Sequence, residues 1–181
     1  MNWSLLRKQI RSFICEELRN RVDFHMAVYR KSWESVYDRA WITIDGEEAF
    51  EFSHGAWTKV WREAKRTVAL QHPDASWKLQ SEHVAIAVKD SGVEHTDFLS
   101  QSLRRYLEAP IAASFKSDNP VIRAFAMLDR RTGKRTLASV TLAPDEHPLV
   151  RAFYELRTGN AEASQQRTAS GVAPADRSQS A

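Results

Sequence analysis

The stretch LDRRTGKRTL, residues 128–137, sets Arg130, Arg131, Lys134 and Arg135 around Gly133, directly behind an apolar run. Four cations within six positions repel one another, so some are expected to seek carboxylates or backbone carbonyls elsewhere in the chain, or an anionic partner. A structural role needs only part of the cluster: cations at a helix C-terminus complement its dipole by about 0.3 to 1 kcal/mol each, and Asp129 stands ready to pair. A phosphate cradle of the P-loop kind would need glycine five residues before Gly133 and Ser or Thr after the lysine. Leu128 and Arg135 occupy those places, and no Gly-x-Gly-x-x-Gly run exists elsewhere, so the sequence implies no nucleotide and no other cofactor.

The remaining reactive residue types form no recognised set. His25, His54, His72, His83, His95 and His147 lack the i, i+4 or cysteine-linked spacing of a metal site, and none is expected. Glu63-Ala64-Lys65, after Asp45 and Glu51, has the acids and lysine of a metal-dependent nuclease, but it falls on a predicted helix with Lys65 facing outward. There is no Gly-x-Ser-x-Gly elbow. His72 and Asp74 flank Pro73 and could serve Ser53 or Ser76 only if the fold brought them together. Cys15 lies beside an apolar stripe and reads as a small packing residue.

Composition bounds the setting. The chain has 181 residues, 43% hydrophobic and 27% charged, with a formal charge of +3 and a pI near 9.1. That balance is too mild to indicate nucleic acid from bulk charge, so such a function must rest on clustering. One cysteine forms no internal disulfide, and MNWSLLRKQIRSF places cations where a signal peptide needs an apolar core, which predicts a cytoplasmic protein. No stretch approaches the roughly 20 apolar residues of a membrane span, so no membrane partner is expected. Residues 158–181 hold one large aliphatic side chain, Val172, and are predicted disordered, leaving residues 1–157 as a single globular domain.

The elements that must position the cluster follow from periodicity. Trp3, Leu6, Ile10, Phe13 and Ile14 make an amphipathic helix with Asn20 as a candidate left-handed cap. RVDFHMAVYR alternates as a strand, with Val22, Phe24, Met26 and Val28 on one face, before a polar loop at KSWESVYD. RAWITIDGEEAFEF is a hairpin turning at Asp45-Gly46. A two-residue turn would set Trp41 opposite Phe50 and mix the faces. A three-residue loop pairs Ile42 with Phe50 and Ala40 with Phe52, leaving Trp41 and Glu51 on the other side, covered or offered to a partner.

From the Ser53 cap, Trp57, Val60, Trp61, Ala64 and Val68 form a core stripe on a helix that lies on the sheet. SEHVAIAVKDSG is read as a helix, as is TDFLSQSLRRYLE with Thr96 or Asp97 as its cap, and Pro110 opens a short helical turn. Asn119-Pro120 starts a buried helix that Gly133 should end, and PLVRAFYELR forms the last one. The order is helix, three antiparallel strands, then five or six helices, an α+β fold.

YRKSWESVYDRAWITIDGEE, FLSQSLRRYLEAPI, NPVIRAFAMLDRRTGKRTL and HPLVRAFYELR resemble a family of small uncharacterised bacterial proteins across nearly everything before the tail. The resemblance implies no established activity, cofactor or catalytic residue. SDNPVIRAFAML also resembles one HEAT-type helical unit, but a single copy implies helix-hairpin packing and not a solenoid. The expected function is a non-enzymatic binding or regulatory protein using Arg130, Arg131, Lys134, Arg135 and Trp41, with a protein partner favoured over nucleic acid. The competing expectation is an enzyme with a cleft beside the hairpin, using Asp45, Glu51 or the histidines.

Overall fold

The computed structural model describes residues 2–32 and 35–159. The chain divides into two compact units, Met1–Pro110 and Ile111–Ala181. In chain order an N-terminal helix precedes a three-stranded antiparallel sheet, and a helical C-terminal half follows, giving the expected α+β fold.

In the first unit α1 (Trp3–Phe13) starts where the Asn2 side chain accepts the Leu5 N–H at 2.9 Å, and it buries Leu6 and Ile10. Ile14 leaves the helix in an extended conformation and a 3₁₀ turn follows at Glu16–Leu18, so Asn20 lies beyond the helix end and caps nothing. The strands β1 (Val22–Ser32), β2 (Ser35–Ile44) and β3 (Glu47–Ser53) lie in the order β1-β2-β3. The polar segment expected as a loop is mostly strand, because backbone pairing between Tyr29 and Tyr37 and between Arg30 and Val36 continues the ladder almost to its tip. Val22 and Phe24 are buried, whereas Val28 is 54% exposed, so β1 outruns the covered part of the face.

The β2–β3 hairpin combines the two registers considered from sequence. Ile44 pairs with Glu47 across a two-residue turn in which Asp45 (φ 54°) and Gly46 (φ 86°) are both left-handed, as a type I′ turn requires. A register shift between Ile42 and Thr43 then leaves Ala49 unpaired, a β-bulge that brings Ile42 opposite Phe50 and Ala40 opposite Phe52. Arg21 locks the turn with two bonds of 2.7 Å to Asp45, and that guanidinium holds the Asp45 carboxyl below the usual carboxylate range.

The helix α2 (His54–Gln71) packs antiparallel on α3 (Trp77–Asp90) and also meets β2. Its stripe is thus shared: Val68, Val84 and Val88 make a small separate core, and Trp57, Val60, Trp61 and Ala64 are half-buried against it. The expected burial of both tryptophans is only partial, because α3 rather than the sheet covers most of that stripe. The helix α4 (Thr96–Glu108) buries Leu99, Leu103 and Tyr106 and packs on β2, β3 and α1. Its cap is His95, whose Nδ1 accepts the Asp97 N–H at 3.0 Å. Thr96 and Asp97 do not cap it, because the buried Thr96 hydroxyl lies 3.2 Å from the carbonyls of both Asp38 and Phe52 and fastens α4 to the sheet.

In the second unit α5 (Ile111–Ser114) leads to α6 (Pro120–Leu128), where Asn119 accepts the N–H groups of Val121 and Ile122. After α7 (Lys134–Ala138), α8 (Pro148–Thr158) packs on α6 with Phe125 and Phe153 edge to face, 5.7 Å apart. His147 caps α8; burial lowers its pKa, opposed by the charge of Glu146. Gly159 (φ 81°) closes α8 one residue past the expected boundary, and the rest of the tail expected to be disordered, residues 160–181, lies outside the described residues.

Candidate functional site

The basic cluster sits on the connection between α6 and α7. The helix α6 ends at Leu128 and not at Gly133, because Asp129 turns extended and its side chain takes the Arg131 N–H at 2.7 Å, an alternative to the next helical bond. The Asp129 carboxylate is fully buried, and the Arg131 guanidinium clamps it through Nε at 3.0 Å and Nη2 at 2.6 Å. Thr132 completes the turn, with its buried hydroxyl donating to the Ala126 carbonyl at 2.8 Å. Gly133 is the N-cap of α7, so Lys134 opens a helix instead of closing one. The expected dipole role at a helix C-terminus fails for Lys134, which stands at the end where the dipole disfavours cations.

The four cations thus divide. Arg131 is structural, holding a buried acid. Arg130, Lys134 and Arg135 are exposed, and none takes part in an ion pair among the described residues. A rigid turn therefore holds three solvated cations on two sides of Gly133.

Trp41 belongs to the sheet face opposite Phe24 and Ile42. Cross-strand from it, the His25 ring stacks at 5.1 Å with an interplanar angle of 13°, and the Arg39 guanidinium lies 4.9 Å from the Trp41 ring centre. Arg39 also bonds Glu51 at 2.9 Å and Glu48, so Trp41 is half-buried within a ladder of its own neighbours.

The groups of the competing enzyme reading are occupied separately. Asp45 holds Arg21, Glu51 holds Arg39, and the Lys65 ammonium lies 5.1 Å over the Trp61 ring. Ser53 and Ser76 cap α2 and α3. The 18-residue helix α2, about 27 Å long, separates Ser53 from His72. Among the described residues no group of three or more His, Cys, Asp or Glu could hold a metal ion.

Sequence spacing missed two histidine pairs. The His95 Nδ1 accepts the Asp97 N–H, so its proton is on Nε2, which donates to His54 Nδ1 at 2.7 Å. His72 and His83 approach to 4.5 Å between ring centres at the α2–α3 tip, beside a cleft of about 380 Å³ that runs along Thr67, Ile86 and Ala87 to Asp90. The first pair joins residues 41 apart through tertiary structure. The second lies across the turn that joins α2 to α3, a pairing that follows from the packing of the two helices and not from residue spacing.

The fold and its sites define a small α+β chain with a sheet-anchored helical hairpin in one unit and a basic interhelical turn in the other. It belongs to the SF0329 protein family, whose model matches residues 2–158 and so covers all four segments on which the resemblance rested. No curated protein and no solved structure matches it. Among the described residues no helix is long and apolar enough to cross a membrane.

Proposed function

We propose that the protein is a cytoplasmic, non-enzymatic binding or regulatory protein whose α6–α7 turn engages an acidic surface on a protein partner. The observation that supports this reading is the division of labour in the turn. Arg131 and buried Asp129 fix the backbone, while Arg130, Lys134 and Arg135 are exposed and take part in no ion pair among the described residues. Preorganised cations lose less freedom on binding than flexible ones, and complementary charge speeds encounter and selects partners.

The test compares the wild-type chain with Arg130→Ala/Lys134→Ala/Arg135→Ala, each immobilised and exposed to extract of the native cell with and without nuclease treatment. The expected result is an acidic protein retained by the wild type, released as salt shortens the screening length below about 8 Å, and lost from the triple variant. Equal retention by both chains overturns the proposal. So does unfolding of the triple variant, which would make these side chains structural. Capture that disappears with nuclease, with a salt slope of about 0.9 per phosphate contact on duplex DNA, would assign the turn to nucleic acid instead.

A further inference from the structure

Of the two histidine pairs, one is satisfied internally and the other is not. His54 and His95 share a hydrogen bond of 2.7 Å, and the second ring nitrogen of His95 accepts the Asp97 N–H. His72 and His83 meet with ring centres 4.5 Å apart, yet among the described residues neither ring makes a hydrogen bond or an ion pair, and the His83 Nδ1 is buried with no partner. A buried nitrogen left unpaired is costly and marks a place for a water or an ion. The backbone beneath the pair is fixed. His72 is the C-cap of α2, its N–H bonded to the Val68 carbonyl at 2.9 Å, while its own carbonyl accepts Gln80 Nε2 at 2.9 Å and the Ala75 N–H at 3.2 Å. The Gln80 bond ties that cap to α3, which carries His83.

We infer that His72 and His83 bind a divalent transition-metal ion, Zn²⁺ or Cu²⁺, through one ring nitrogen each. An ion about 2.1 Å from a nitrogen of each ring, at a ligand angle of about 90 to 110°, sets the ring centres about 4.5 to 5.2 Å apart, and the observed 4.5 Å falls in that range. The donors decide the class of ion. Imidazole suits Zn²⁺, Cu²⁺ and Ni²⁺, whereas Mg²⁺ and Ca²⁺ require oxygen ligands. The one carboxylate of the same cleft, Asp90, stands seven residues beyond His83, about 10 Å along α3, and is too distant to join them. Two protein donors leave the remaining positions to water, and the cleft of about 380 Å³ that both histidines line has room for it. The site is therefore open and exchangeable, unlike a closed structural zinc site. An ion here ties the end of α2 to α3 across a hairpin whose core is Val68, Val84 and Val88, so binding stabilises that hairpin. The site lies in the first unit and is independent of the α6–α7 turn.

Calorimetric titration of ZnCl₂ and of CuCl₂ into the metal-free, untagged full chain near pH 7 tests it. One equivalent should bind with a dissociation constant of roughly 1 to 100 µM, tighter for Cu²⁺ than for Zn²⁺, and MgCl₂ should give no binding. His72→Ala and His83→Ala should each weaken binding by at least about tenfold. Zn²⁺ should raise the melting temperature of the wild type and of neither variant. No binding of either ion, or one equivalent retained undiminished by both variants, overturns the inference, the second because the ion then sits on other groups. Should His83→Ala lower the melting temperature without metal, His83→Phe keeps the ring while removing its nitrogens and should lose the ion equally.

Discussion

Glu94 shows how one side chain sets a pH response. Its carbonyl accepts the Ser53 N–H at 2.9 Å, which holds the residue beside the end of β3, and burial of its side chain raises the carboxyl pKa. A carboxyl whose folded pKa lies above its unfolded value stabilises the fold below the unfolded pKa and loses that contribution as pH rises through the folded one. Glu94→Gln should therefore melt higher than the wild type at pH 7, with the difference closing near pH 4, as read by thermal denaturation across that range. Asp23 behaves oppositely: burial alone would push it up, but hydrogen bonds from Arg7 and the Phe24 N–H, with the charges of Arg7 and Arg11, hold it below the usual range. Its contribution is present above the unfolded pKa and fades as pH falls through the folded one. Neither response was legible in sequence, where Asp23 stands between Val22 and Phe24 and Glu94 between Val93 and His95 as ordinary acids.

Among the elements, the β2–β3 hairpin makes a sharp prediction. Deleting Ala49 removes the bulge but keeps Thr43 opposite Glu48 and Ile42 opposite Phe50, so Phe50 and Phe52 stay on the buried face and the cost should be about 1 kcal/mol or less. Deleting Glu51 turns Phe52 outward and should cost about 3 to 5 kcal/mol. Urea denaturation of the two variants separates them. The pairing of Ile42 with Phe50 was legible because only that register gathers the apolar residues, and Asp45-Gly46 announced the turn. The bulge was hidden because turn chemistry and face pairing each suggest a different loop length, and only an unpaired Ala49 satisfies both. Helix caps were read well where Ser53 and Asn119 supply oxygens. They were missed where His95 and His147 accept through a ring nitrogen, since histidine carries no capping signal in sequence.

For the whole molecule, the basic cluster was visible as composition, but its partition was not. That Arg131 belongs to the structure and Arg130, Lys134 and Arg135 to the surface depends on Asp129 being buried, a tertiary fact. The α2–α3 hairpin was likewise legible as two helices, while its exposed tip contradicts the simple rule that tryptophan goes inward. Its small core of Val68, Val84 and Val88 also has a dynamic consequence. A helix held by three valines and half-buried tryptophans should open more readily than α4, which the sheet and α1 hold through Leu99, Leu103 and Tyr106. Amide deuteration followed by mass spectrometry should show α3 exchanging well before α4.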